Sequence, residues 1–149
     1  MPEEYPNTNL YINGKWRPAV AGETLDVINP ANEEVIGQVA RARQEDLDEA
    51  LEAAHQGFKV WKKTTPLERY KIMRKAADLL RKRVDEIATI LTTEQGKPLA
   101  EAKMETALGA ERIDWMAEEG RRAYGKVIPA RMDGVYQFTI KEPVGPVAA

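Results

Sequence analysis

The sequence predicts an α/β chain, with helices flanked by short β-strands at both ends. Three observations carry this reading: an Asn13-Gly14 pair between two β-type runs, a helical period starting near Gln44, and a return to strict alternation after Pro129.

Leu10-Tyr11-Ile12 and Lys15-Trp16 flank Asn13-Gly14, and Asn-Gly accepts the positive φ angles of a tight hairpin turn. Leu25-Asp26-Val27-Ile28 and Val35-Ile36-Gly37-Gln38-Val39 flank Asn29-Pro30-Ala31-Asn32, which reads as a second strand pair joined by a turn. Leu47, Leu51, Ala54, Phe58 and Trp61 then recur at steps of three and four, one face of a helix. Thr65-Pro66-Leu67-Glu68 is a helix-start signature: a hydroxyl acceptor, a proline suited to the first turn, and a glutamate able to reach back in a capping box. Ile72, Met73, Ala76, Leu79 and Leu80 form the expected buried stripe, and Val84, Ile87, Ala88 and Leu91 continue the helical pattern. Gly96 suits a left-handed cap and Pro98 stops further pairing. Leu99, Ala102, Thr106, Ala110, Ile113 and Ala117 predict a further helix ending between residues 120 and 125. Val135, Tyr136, Phe138 and Ile140 then mark a strand, whose alternation with Gln137, Thr139 and Lys141 is that of one buried face. More than half of the chain is expected to be helical.

At 149 residues the chain is long enough for one domain with a core. Its 43% hydrophobic and 31% charged composition is that of a folded protein, while a net charge of -2 exerts no global pull on nucleic acid or membrane. Without cysteine there is no disulfide, thiolate metal site or cysteine nucleophile. The opening Met1-Pro2-Glu3-Glu4 lacks the pattern of a signal peptide, and no apolar run reaches the length of a membrane span, so a cytoplasmic location is the expectation.

No two glycines lie two residues apart, so neither a G-x-G-x-x-G turn nor a phosphate loop can be read. The lone His55 has no local partners for catalysis or metal binding. Glu101/Glu105 and Glu111/Asp114 sit among Lys103 and Arg112 as a solvated face would. Arg69, Lys71, Arg74, Lys75, Arg81, Lys82 and Arg83 make the second helix basic; a phosphate-binding helix is conceivable, although a solvated face opposite the apolar stripe accounts for most of these charges.

Several phrases stand in a telling order. Tyr11-Ile12-Asn13-Gly14-Lys15-Trp16, Val27-Ile28-Asn29-Pro30-Ala31, Glu94-Gln95-Gly96-Lys97-Pro98-Leu99-Ala100-Glu101-Ala102, Trp115-Met116-Ala117-Glu118-Glu119-Gly120, Tyr124-Gly125, Ile128-Pro129 and Glu142-Pro143-Val144-Gly145 together resemble the N-terminal part of an NAD(P)-dependent aldehyde dehydrogenase, most closely the succinate-semialdehyde dehydrogenase group. With two prolines and two asparagines, residues 1–9 read as a flexible arm; the resemblance implies strands and helices of an incomplete cofactor-binding domain over 10–125, and an oligomerisation strand followed by the start of the cofactor-binding sheet over 126–149.

It also implies where the chemistry lies. The family's oxyanion asparagine, cofactor lysine, glycine-rich turn, glutamate base and cysteine nucleophile all follow the Glu142-Pro143-Val144-Gly145 phrase, so no catalytic and no cofactor-binding residue is expected here. NAD or NADP, an aldehyde substrate and a homo-oligomer belong to the complete enzyme, and this chain alone is expected to be inactive and to bind no cofactor tightly. One site is implied within the chain: a monovalent cation held by carbonyls around Val27 and Ile28 and by the Glu94 carboxylate. Glu94 beside a helix end could equally be an ordinary surface charge. Two functions stay open: the N-terminal fragment of an aldehyde-oxidising enzyme, or a noncatalytic assembly module pairing through residues 134–141.

Overall fold

The computed structural model describes residues 5–148. Two hairpins open the chain. Strands β1 (Leu10–Ile12) and β2 (Lys15–Arg17) pair antiparallel around Asn13 and Gly14, whose φ angles of 50° and 77° are those the tight turn requires. Tyr11 faces Trp16 directly, with ring centroids 4.9 Å apart, an aromatic cross-strand pair that holds the register. Strands β3 (Thr24–Ile28) and β4 (Val35–Ala40) form the second pair, with a register shift between Val27 and Ile28. Asn29 closes their turn by donating its amide to the Glu34 carbonyl and accepting at Oδ1 from the Ala31 amide.

The arm expected over residues 1–9 lies partly outside the described residues. Thr8 exchanges backbone hydrogen bonds with Gln38 and Ala40, at 3.0 and 2.8 Å, so this stretch runs along β4.

Helix α1 (Gln44–Trp61) starts at Arg43, where Asp46 in the first turn accepts from the Arg43 amide at 3.0 Å. Asp46 is fully buried. It also accepts from the Val20 amide at 3.1 Å and from Arg17 at 2.7 Å, while Arg17 reaches Glu49 at 2.5 Å. One carboxylate thereby starts α1 and ties it to the chain leaving β2. The Arg43 amide first, and then the Arg17 guanidinium, hold the Asp46 carboxyl below its ordinary pKa despite burial.

Helices α2 (Pro66–Lys82), α3 (Val84–Gln95) and α4 (Leu99–Arg121) form the remaining core. Thr65 caps α2 by accepting from the Glu68 amide at 3.3 Å. The reciprocal half of the expected capping box is absent, because the Glu68 side chain turns to Lys71 at 2.8 Å. The helical pattern through Val84 hides a break: Arg83, at φ -108° and ψ 15°, ends α2 and starts α3. Gly96 takes the expected left-handed cap, at φ 72° and ψ 12°. Helices occupy slightly less than half of the chain, short of the expected majority.

The buried face is built from small residues. Ala77, Ala88, Ala102, Ala110 and Ala117 are buried, with Thr106 alongside and donating to the Ala102 carbonyl at 2.8 Å. Alanines let α2, α3 and α4 approach closely, and Gly109 leaves room for the Leu80 side chain. The stripe expected on α2 is therefore corrected: Ala77 is buried, whereas Ile72 and Leu79 remain about half exposed, at 54% and 51%. Leu47 and Leu51 on α1 are likewise exposed.

Helix α4 has two apolar stripes. Ala102, Thr106, Ala110 and Ala117 face the core, and at 100° per residue Met104, Leu108 and Trp115 fall on the opposite side, where all three are exposed. After α4, strands β5 (Lys126–Ile128) and β6 (Gln137–Thr139) form a third antiparallel ribbon. The strand expected to have one buried face has none in this chain: Tyr136, Phe138 and Ile140 are 89%, 68% and 67% exposed.

Candidate functional site

Val27, Ile28 and Glu94 lie on two elements that meet at a glycine. Val27 pairs with Gly37 and Ile28 with Val35, so the register shift falls on the facing strand, where Ile36 is the extra residue of a bulge opposite these two. The following turn brings Pro30 against the end of α3, where a Cβ added to Gly96 would stand 3.1 Å from Pro30 Cγ. Glu94, two residues before Gly96, is exposed at that same end.

Tyr5 joins the two sides. Its hydroxyl donates to Glu94 Oε1, and its ring covers Gly37, the partner of Val27, so closely that a Cβ at Gly37 would overlap it. Asn7 fastens the same stretch by accepting from the Gln38 amide at 2.8 Å. Tyr5 thus stands between the Glu94 carboxylate and the strand facing Val27, a residue that sequence reasoning did not include. Only an aromatic residue placed before a strand signalled it.

The chemistry available here is that of hard oxygen donors. Among the described residues, no group of three or more His, Cys, Asp or Glu side chains could hold a metal ion. A site here would rest on backbone carbonyls with one carboxylate, a donor set suited to a hard cation.

The other charged residues serve packing. Asp114 is corrected from a solvated face to an interhelical clasp: its side chain is 16% exposed and pairs with Arg74 at 2.8 Å and with Arg81, tying α4 to α2. Glu105 pairs with Lys97, and Lys103 with Asp85 at 2.7 Å. His55 is exposed on α1. With no cysteine in the sequence, the described residues offer no thiolate nucleophile.

The ordered phrases and the geometry they adopt have close counterparts. The aldehyde dehydrogenase family model matches residues 16–149. A 4-(hydroxymethyl)benzenesulfonate dehydrogenase of Comamonas testosteroni is 43% identical over 145 residues, covering 97% of this chain and 30% of that protein. A succinate-semialdehyde dehydrogenase of Escherichia coli K12, whose name specifies NADP(+), is 41% identical over 138 residues, covering 93% of this chain and 29% of that protein. Among solved structures, a succinate-semialdehyde dehydrogenase from Burkholderia pseudomallei superposes with a TM-score of 0.90 at 40% identity, covering 93% of this chain and 29% of the other. The chain therefore spans about 30% of the length of the curated relatives it matches. The chain belongs to the aldehyde dehydrogenase family.

Proposed function

We propose that this chain is the N-terminal portion of an enzyme that oxidises an aldehyde, of the semialdehyde class, to a carboxylic acid with NAD or NADP. The observation that carries the reading is the family match over residues 16–149 together with 41% identity to a semialdehyde dehydrogenase. The hydride acceptor is the nicotinamide cofactor when bound. This chain's own residues build the scaffold: Asp46 starts α1, Gly96 and Pro30 lock the second hairpin to α3, and Asp114 fastens α4 to α2.

The cation site at Val27, Ile28 and Glu94 is part of this proposal. Its support is the bulge at Ile36, which distorts the ladder opposite Val27 and Ile28, and the tie of Glu94 to Tyr5, whose ring covers Gly37, the partner of Val27. The site organises the junction between β3 and α3 rather than taking part in the oxidation.

A second reading, a noncatalytic assembly module, is favoured by one observation: the β5–β6 ribbon exposes Tyr136, Phe138 and Ile140. Homo-oligomers would form through this ribbon in either case. No helix among the described residues is long and apolar enough to cross a membrane.

The test is aldehyde-dependent reduction of NAD and NADP by the complete polypeptide, comparing succinate semialdehyde, glutarate semialdehyde and benzaldehyde. The reading expects the semialdehydes to give the highest kcat/KM. Preference for the aromatic aldehyde would move the substrate class, and no reduction with any aldehyde would favour the assembly module.

A further inference from the structure

Of the seven basic residues between Arg69 and Arg83, four are ion-paired, and Arg69, Lys75 and Lys82 have no ion-pair partner among the described residues. Arg74 and Arg81 are taken by Asp114, Lys71 by Glu68 and Arg83 by Glu86. Arg69 is half-buried and, among the described residues, no carboxylate lies within ion-pairing distance of it. It opens into a cleft of about 510 Å³ bounded by the first turn of α2, the end of α4 and the segment after β6. Lys62, Arg121 and Lys141 line the same cleft, against a single carboxylate, Glu142.

Three features make this cleft suited to an anion. Lys62 and Lys141, like Arg69, have no ion-pair partner among the described residues, whereas Arg121 is placed by stacking on Tyr70 at 5.0 Å and by a 3.8 Å pair with Glu118. Pro66 at the start of α2 lines the cleft, adding the positive end of that helix. The volume falls within the usual range for small-molecule sites, roughly 300–1,000 Å³. Four cations against one carboxylate exceed what one monoanion would neutralise, and guanidinium groups match phosphate oxygens in pairs. We propose that the cleft between α2, α4 and the segment after β6 binds a small diphosphate anion through Arg69, Lys62, Lys141 and Arg121.

Isothermal titration of the full chain with inorganic pyrophosphate at low ionic strength tests this. The expected result is one pyrophosphate per chain, with affinity falling as salt rises. Arg69→Gln and Lys141→Gln should each weaken binding by about tenfold, the loss of one charge-assisted contact. Lys141 lies outside the helices, so its variant reads binding without risk to a helix, and Lys71→Gln, on α2 but paired with Glu68, should leave the affinity unchanged. No binding at millimolar pyrophosphate would overturn the proposal. So would equal weakening by Lys71→Gln, or tighter binding of succinate than of pyrophosphate.

Discussion

Replacing Gly96 with alanine perturbs the turn that joins the second hairpin to the helices. At φ 72° the backbone lies in the left-handed region, where an L side chain costs about 1–2 kcal/mol. The new methyl would also meet Pro30 Cγ at 3.1 Å, closer than ordinary van der Waals contact, and a proline ring on a tight turn has little room to retreat. That overpacking adds about 1 kcal/mol. The smaller entropy of the unfolded alanine chain returns about 0.4–1 kcal/mol. The net expectation for Gly96→Ala is a loss of about 1–3 kcal/mol, or several degrees in melting midpoint for a chain of this length. Urea unfolding followed by circular dichroism measures it. Gly96→Asn separates the two causes, because asparagine tolerates left-handed φ yet still carries a Cβ, and Pro30→Ala in the alanine background should restore part of the loss. Unchanged stability in Gly96→Ala would refute both the left-handed cap and its contact with Pro30.

Thr65→Ala should cost about 0.5–1 kcal/mol, the low end for a cap, since the accepted hydrogen bond is 3.3 Å long and lacks its reciprocal partner; an unchanged urea midpoint would argue that α2 starts elsewhere. The Asp46 carboxyl is held below its ordinary pKa, so its contribution is present above the unfolded value of about 3.9 and is lost as pH falls through the lower folded value. Asp46→Asn should therefore lower the melting midpoint near neutral pH and flatten the acid limb of the stability profile, and an identical acid limb in the variant would count against this. Gly125→Ala drives a Cβ into the Thr139 carbonyl and should open the β5–β6 ribbon, reducing strand-mediated self-association in sedimentation while leaving the helical circular dichroism signal intact; undiminished association would mean that another face carries it.

The elements legible in sequence were those with a local physical cause. Asn13-Gly14 and Gly96 require positive φ angles that few residues supply, and the Asn29–Asn32 break carries a proline and asparagines that suit a turn; each forms where expected, although the positive φ of the second turn falls on Glu33. The break at Arg83 was not legible, because apolar spacing runs through it and no glycine or proline marks it. Strand β5 was missed for its brevity, three residues between Gly125 and Pro129. Burial was misjudged for a different reason. Spacing shows that Ile72, Leu79, Phe138 and Ile140 share faces, but not whether anything covers them, and on α2 the smaller Ala77 takes the core position. Asp114 read as solvated because its partners, Arg74 and Arg81, lie on another helix. At the candidate site, the resemblance supplied Val27, Ile28 and Glu94, whereas Tyr5 depends on a contact across 89 residues that no local pattern encodes.

The most direct test of the central claim, that this chain is the scaffold portion of an aldehyde-oxidising enzyme, is reduction of NAD(P) by the 149-residue chain alone, supplied with succinate semialdehyde. The account predicts no aldehyde-dependent reduction, with activity appearing when the segments carrying the family's nucleophile and cofactor turn are supplied. Turnover by the chain alone would contradict it.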